Sequence, residues 1–175
     1  KAIGMLRELM PEVEAIARVM IERLRAGGTI YTAGNGGSAA QALHLAEELI
    51  GRYRGNRGPL RAVCLNADPT ALTCIANDFG FEEVFARQAR ALVTEKDVLV
   101  VLSTSGKSAN ILRVLDTARE KKCATVGLLG QDGGAAKALC DHAVIVPAKD
   151  SAQIQDAHQV VVHLLCEAIE VEFGG

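Results

Sequence analysis

The sequence predicts one α/β domain over residues 1–175, built on a five-stranded parallel sheet of flavodoxin-like order and flanked by helices. Short apolar runs of strand length alternate with stretches of helical periodicity. The runs are apolar throughout, as expected for strands that are buried on both faces. Parallel strands joined by right-handed helical crossovers account for both observations.

A long amphipathic segment, residues 1–26, precedes the first predicted strand. Its apolar positions recur at helical spacing and form one broad stripe, and the Gly27-Gly28 pair ends it. Pro11 should kink or divide this helix. The stripe could cover its own domain or pack against further copies of the chain, and we assign the segment as an oligomerisation helix.

Strands and helices then alternate along the chain. Strands are predicted at residues 29–33, 62–65, 98–102, 125–129 and 143–146. Helices are predicted at residues 38–50, 70–77, 81–92, 108–121, 134–139 and 152–173. Polar, glycine-rich segments follow the first four strands, so they should share one rim at the carboxyl ends of the strands, where ligands bind in such sheets.

The composition excludes several classes of protein. Hydrophobic residues make up 49% and the net charge is −2, which gives no electrostatic case for binding nucleic acid or an anionic membrane. We expect no membrane span and no signal peptide, since the longest apolar runs are of strand length. The five cysteines are scattered and never spaced Cys-x-x-Cys, so we expect free thiols and a protein of the reducing cytoplasm.

A loop rich in hydroxyl groups, residues 103–108, separates the third strand from a helix. The helix start offers free backbone N–H groups and a positive dipole, which favour a bound anion. A nucleoside triphosphate loop would need glycine five residues before Gly106, but position 101 is Val. The simpler alternative is that the hydroxyls only cap the helix. We interpret the loop as a phosphate site.

A second loop, Gly34-Asn35-Gly36-Gly37-Ser38, follows the first strand and opens a helix. Its glycines allow positive φ and a close approach of backbone to a ligand. The segment also fits the dinucleotide-binding fingerprint loosely. However, no acidic residue is placed convincingly at the end of the second strand, which disfavours a nicotinamide enzyme.

Two further groups of residues carry potential chemistry. His44 and Glu48 lie four positions apart on one helical face, where such a pair binds a metal, transfers protons or is merely an exposed surface pair. Glu47 should point about a quarter-turn away. At the turn before the predicted helix 81–92, Asp78 could reach the rim, although capping that helix is the expected role.

The last helix contains Gln155, His158 and His163. Gln155 and His163 are eight residues apart, which is roughly 12 Å of helical rise. One small ligand reaches both only if Gln155 lies at a frayed helix end, or if the two residues serve sites in different subunits. His158 is the competing candidate, and the apolar neighbours of His163 leave open that it is a core histidine.

Taken together, these segments resemble the sugar isomerase (SIS) domain family and, within it, the phosphoheptose isomerases. The resemblance covers almost the whole chain and rests on residues 34–38, 44–53, 71–82, 103–106 and 154–163. It implies conversion of sedoheptulose 7-phosphate to D-glycero-D-manno-heptose 7-phosphate through an enediol, towards nucleotide-activated heptose. It also implies a homotetramer with active sites at subunit interfaces.

The resemblance assigns roles to individual residues. Glu48 would be the catalytic base and His163 its acid/base partner. One zinc ion per subunit would be held by His44, Glu48, Gln155 and His163. The sugar phosphate would be bound by Asn35, Gly36, Gly37, Ser38, Arg52, Asn77, Asp78, Ser103, Thr104, Ser105, Ser108 and Gln155.

Two positions depart from the usual family pattern. Lys107 stands where Asn is usual and could add charge near the phosphate, and Gln41 stands where Asp is often found. A non-catalytic reading also remains, because related SIS-domain proteins bind a replication initiator or sense phosphosugars. The motifs discriminate poorly between an enzyme and a regulator that binds an initiator.

Overall fold

The computed structural model describes Gly4 and residues 6–174. Its five strands are β1 (Ile30–Gly34), β2 (Ala62–Cys64), β3 (Val98–Ser103), β4 (Ala124–Gly130) and β5 (His142–Val146). They form one sheet in the order β2-β1-β3-β4-β5, and every neighbouring pair is parallel. The predicted fold class and flavodoxin-like order are confirmed.

Six α-helices, counted over the described residues, cover the two faces of the sheet. They are α1 (Met10–Arg25), α2 (Gly37–Ile50), α3 (Pro69–Phe79), α4 (Ala86–Leu92), α5 (Ala109–Glu120) and α6 (Ser151–Phe173). Short 3₁₀ helices span Leu6–Leu9, Phe81–Glu83 and Ala135–Leu139. Among these described residues, no helix has both the length and the apolar character that crossing a membrane requires.

Two predicted helices differ from the observed ones. The predicted helix 81–92 is a 3₁₀ helix at Phe81–Glu83 followed by α4, and the two residues between them, Val84 and Phe85, are both fully buried. The predicted helix 134–139 is a 3₁₀ helix that follows two glycines of positive φ, Gly133 and Gly134.

The first helix is divided near Pro11, as predicted. A 3₁₀ helix ends at Leu9, and α1 carries Pro11 in its first turn, where the missing N–H breaks no helical hydrogen bond. Ile16 and Met20 on α1 are fully buried against the chain's own core. Residues 1–3 and 5 of the predicted segment lie outside the described residues.

Each face of the sheet carries its own hydrophobic core. Val98, Val100 and Leu102 point to the face covered by α1, α2 and α6. Leu99 and Val101 point to the face covered by α3, α4 and α5. This alternation buries β3 on both sides and leaves its carboxyl end, where the polar loops lie, as the accessible edge.

Candidate active site at the carboxyl edge of the sheet

The loops after β1 and β3 lie side by side, since Gly34 pairs with Leu102 in the sheet register. From β1 the chain crosses to β2, and from β3 it crosses in the other direction to β4. The strand order reverses between them, which opens a crevice at the carboxyl ends. The two loops singled out from the sequence therefore flank one crevice.

Amide side chains hold the glycine loop in place. Asn35 and Asn110 exchange two hydrogen bonds of 2.9 Å, which join the β1 loop to the first turn of α5. Asn66 accepts from the backbone N–H of Gly34 at 3.1 Å and donates to its carbonyl at 2.9 Å. Asn110 is 2% exposed and was not predicted, because its partner lies 75 residues away. Asn35 thus has a structural partner at the crevice.

The hydroxyl loop packs tightly against the loop after β4. Gly106 has φ +62°, and a Cβ there would lie 2.0 Å from the carbonyl oxygen of Gly133. The Oγ of Ser103 accepts from the Gly106 N–H at 3.0 Å, and the Oγ of Ser105 accepts from the Lys107 N–H at 3.3 Å. These bonds fix the loop without using the start of α5.

Ser108 is the N-cap residue of α5, yet its side chain makes no capping hydrogen bond. The interpretation that the loop hydroxyls only cap the helix therefore does not fit Ser108. A small cavity of about 70 Å³ lies here, and residues from three elements line it: Asn35, Ser38, Leu102, Ser103, Thr104, Ser105, Ser108 and Gln155. Wider cavities exist, such as one of about 530 Å³ beside Gln131 and Pro147, but hydroxyl groups do not converge there.

Gln155 closes the cavity from the side of α6. Its side-chain amide lies where a Cβ on Gly37 would be, with Nε2 2.6 Å from that position. Glycine at position 37 leaves the space in which this side chain lies. The backbone carbonyl of Gln155 accepts from Gln41 Nε2 at 2.7 Å. The structure thus places Gln155 beside the glycine loop.

A second group of polar residues lies farther along α2. His44 Nε2 is 2.9 Å from Glu48 Oε1, and their side chains are 34% and 15% exposed. Glu47 belongs to the same group, because ligand atoms of all three residues lie within 4.8 Å of one another. Glu47 is exposed, as expected for a residue about a quarter-turn away from Glu48, yet its carboxylate reaches the group because residues three apart on a helix, such as 44 and 47, are also neighbours.

His163 reaches His44 through Gln159, a residue the sequence reasoning missed. Gln159 Nε2 lies 2.9 Å from His44 Nδ1 and 3.1 Å from His163 Nε2. The two imidazole rings lie edge to face with centroids 5.4 Å apart, and Tyr53 flanks His163 at 5.7 Å. The signal was available, because Gln159 is four residues from both Gln155 and His163.

His158 is a core residue. It is fully buried, and its Nε2 bonds the carbonyl oxygen of Leu129 at 3.1 Å. Burial lowers its pKa to about 4, partly offset by the bond to the carbonyl, so the ring is neutral near pH 7. Nε2 therefore carries the proton and donates it to Leu129. His158 connects α6 to the end of β4 and does not belong to the group formed by His44 and His163.

Arg57 is a further residue that the sequence did not single out. Its side chain is 2% exposed, and it donates to the carbonyls of Glu48 at 2.7 Å and Leu49 at 2.9 Å. Those carbonyls belong to the last turn of α2, where backbone C=O groups have no hydrogen-bond partner within the helix. Glu170 on α6 lies 3.9 Å from Arg57 Nε, so this arginine joins the end of α2 to α6.

Three predicted substrate residues stand outside the crevice in this single chain. Arg52 is exposed in the loop after α2, and Asn77 and Asp78 are exposed in the last turn of α3. Asp78 accepts from Asn77 Nδ2 at 2.8 Å. Asp78 does not cap the following 3₁₀ helix, because α3 extends through Phe79 and Gly80 is the capping position. The expectation of a capping role is therefore wrong.

The residues present fit a divalent metal such as zinc. Imidazole nitrogen and carboxylate oxygen are the ligands that zinc takes, and His44, Glu47 and Glu48 bring them within 4.8 Å of one another. The free nitrogens of His44 and His163 converge on one point, which Gln159 Nε2 fills. Gln155, by contrast, has its amide against Gly37.

Comparison with known proteins identifies the family of this chain. Residues 4–130 match the SIS domain family. The chain is 46% identical to phosphoheptose isomerase from Helicobacter hepaticus over 95% of this chain and 85% of the relative. It is also 46% identical to phosphoheptose isomerase 1 from Campylobacter jejuni, over 94% and 89% of the two chains.

Solved structures give the same assignment. Phosphoheptose isomerase GmhA from Neisseria gonorrhoeae superposes with a TM-score of 0.90 at 38% identity, covering 97% of this chain and 93% of that one. The Vibrio vulnificus NanR protein, solved with ManNAc-6P, shares the fold at a TM-score of 0.68 but only 13% identity, over 98% and 58% of the chains. The chain belongs to the SIS domain family and, within it, to the phosphoheptose isomerases.

Proposed function

We propose that the chain interconverts sedoheptulose 7-phosphate and D-glycero-D-manno-heptose 7-phosphate, as an aldose–ketose isomerase in the biosynthesis of nucleotide-activated heptose. The observation that carries this proposal is the contact of 2.9 Å between His44 and Glu48, with His163 held against the same histidine through Gln159. A carboxylate can act as the general base that removes a proton next to a carbonyl, and a neighbouring imidazole can act as the general acid.

The phosphate group of the substrate binds in the hydroxyl-lined cavity. Ser103, Thr104, Ser105 and Ser108 line it, and Ser108 sits at the positive end of α5 with its side chain uncommitted to capping. Lys107 neighbours these hydroxyls in the loop and adds positive charge at the rim. Asn35, Ser38 and Gln155 also line the cavity and would contact the sugar chain beside the phosphate.

The reaction moves one proton between neighbouring carbons. The Glu48 carboxylate removes a proton from the carbon beside the carbonyl, which gives an enediol, and returns it to the adjacent carbon. His163 carries the accompanying proton between the two substrate oxygens. The Glu48 side chain is 15% exposed, so little water competes with the substrate for its carboxylate oxygens.

His44, Glu48, Gln155 and His163 are the residues we propose to hold one zinc ion per subunit. When bound, zinc would polarise the substrate carbonyl and fix the substrate oxygens. Glu48 would then serve as ligand as well as base, and Glu47, which lies in the same group, offers a further carboxylate. Chelation followed by return of zinc tests whether the metal is required.

We further propose that the active form is a homotetramer whose active sites lie at subunit interfaces. Ser38 and Glu48 are ten residues apart on α2, which is roughly 15 Å of helical rise. The phosphate cavity therefore lies at one end of α2 and the base at the other. A second subunit that contributes residues to each site would let one substrate contact both a phosphate cavity and a base. The exposed positions of Arg52, Asn77 and Asp78 fit the same arrangement.

An apolar groove between α1 and α6 fits such an assembly. It has a volume of about 390 Å³ and includes Val13, Leu164 and Val171, of which Val171 is 75% exposed. A second copy of the chain is the occupant we propose, since exposed apolar surface on two neighbouring helices suits helix–helix association. We expect the protein in the cytoplasm, because all five cysteines are free thiols.

An assay of the purified protein with sedoheptulose 7-phosphate tests this function directly. Formation of the aldose, followed by NMR, is the expected result. Absence of turnover with and without added zinc would contradict it and would favour the non-catalytic SIS-domain regulator. The high identity to chains named phosphoheptose isomerase makes that alternative the less favoured one.

A further inference from the structure

The polar contacts between α2 and α6 form a chain of hydrogen bonds with a defined direction. Gln41 Nε2 donates to the backbone carbonyl of Gln155 at 2.7 Å, and a carbonyl accepts only from a donor. This contact fixes which end of the Gln41 amide is nitrogen. The same nitrogen lies 3.4 Å from Gln159 Oε1, so the oxygen of Gln159 faces Gln41.

The nitrogen of Gln159 consequently faces the two histidines. An amide NH₂ group has two hydrogens and no accepting lone pair, so it donates to His44 Nδ1 at 2.9 Å and to His163 Nε2 at 3.1 Å. Both of those ring nitrogens must be unprotonated. His44 then carries its proton on Nε2 and donates it to Glu48 Oε1 at 2.9 Å, which completes the chain.

We propose that Gln159 is a positioning residue, which holds His44 and His163 in opposite tautomers and competes with a divalent cation for their free lone pairs. The proposal rests on the proposed function, because it concerns the base and the metal ligands of that site. His44 Nδ1 and His163 Nε2 are the nitrogens able to ligate a cation in these tautomers. Gln159 Nε2 occupies the point where they converge.

Two states of the site follow from this arrangement. Without metal, Gln159 holds both rings and directs the His44 proton at Glu48. With metal, the Gln159 amide has to turn away from both rings, and the cost of breaking its two hydrogen bonds lowers the affinity for the cation. Gln159 therefore lowers the affinity of the site for the cation without being one of its ligands.

The test compares zinc affinity of chelator-treated full-length protein with that of Gln159→Leu, a variant of similar volume that lacks the amide. Competition with a chromophoric zinc chelator should show binding about tenfold tighter in the variant, from the loss of two neutral hydrogen bonds. Gln153→Leu is the matched control, since Gln153 is exposed in the first turn of α6. Unchanged or weaker zinc binding in Gln159→Leu would overturn the proposal.

A second readout follows the tautomers directly. Long-range ¹H–¹⁵N correlation spectra of histidine-labelled, zinc-free protein should show His44 protonated at Nε2 and His163 protonated at Nδ1. In Gln159→Leu the His163 ring should become a mixture of tautomers, whereas an unchanged pattern would contradict the assigned role. Neither measurement needs turnover, so a failure of isomerase activity in the unaltered protein would count against the proposed function alone.

Discussion

The two halves of the candidate site are built in different ways. The phosphate half is a continuous segment, residues 103–108, whose hydroxyls and glycine fold back on their own backbone. The proton-transfer half joins residues of α2 and α6 that lie 115 positions apart, through Gln159 and the buried Arg57. Hydrogen bonds within one loop shape the first, whereas the second depends on how two helices dock.

This difference has a chemical counterpart. A phosphate can be held by several neutral hydrogen bonds of about 0.5–1.5 kcal/mol each, so no single hydroxyl is decisive. Proton transfer requires one base at one position, and a positioned acid or base contributes about 10²–10⁴-fold to the rate. The local half should therefore tolerate substitution, and the long-range half should not.

The largest expected effect is in the long-range half. Glu48→Gln and His163→Asn should each lower kcat by about 10²–10⁴-fold, because each removes a proton-transfer group while nearly keeping its shape. Steady-state kinetics with sedoheptulose 7-phosphate measure this, and circular dichroism checks the fold. A kcat within threefold of the unaltered protein in both variants would remove these residues from the chemistry.

A second effect tests the docking of α6 on the sheet. His158 has a folded pKa of about 4 against 6.5 when unperturbed, so the unfolded chain binds more protons in between. The free energy of unfolding should therefore fall as the pH drops from 6.5 to 4, by about 3 kcal/mol from this group. Urea denaturation at a series of pH values measures this loss.

The matched variant for that measurement is His158→Gln. Glutamine can donate to the Leu129 carbonyl but does not titrate, so its stability curve should be flatter between pH 6.5 and 4.5. Glu83, whose pKa hydrogen bonds from Arg90 and Arg113 lower to about 2, contributes only below that window. Parallel curves for the two proteins would show that His158 does not cause the acid loss.

A smaller effect is expected in the local half. Changing Ser103 and Ser105 together to Ala should raise KM by about tenfold while kcat changes less, because the hydroxyls bind phosphate in ground state and transition state alike. Initial rates over a range of substrate concentrations separate the two parameters. An unchanged KM would mean that these hydroxyls serve only the Gly106 and Lys107 backbone bonds.

The local half of the site was largely predictable from the sequence, and the long-range half only in part. The hydroxyl loop, the glycine loop and the His44–Glu48 pair are local patterns, and each could be read from spacing and residue type. Asn110, Arg57 and Gln159 were missed because their partners are distant in sequence or, for Arg57, are backbone carbonyls that leave no sequence motif. The parallel sheet was predictable from its buried strands, whereas the break between the 3₁₀ helix at Phe81–Glu83 and α4 is marked by no proline or glycine in residues 81–92.

The smallest effect distinguishes neighbours within the long-range half. Glu47 shares a group with His44 and Glu48, yet it is exposed, whereas the Glu48 side chain is 15% exposed and bonds His44 directly. Glu47→Gln should therefore change kcat by less than about threefold, because an exposed carboxylate interacts through water and is screened by salt. The comparison is made with Glu48→Gln under identical conditions, with zinc content measured in both. If Glu47→Gln were the more damaging of the two, the base would lie on the exposed face of α2, and the division into a local and a long-range half would have to be redrawn around Glu47.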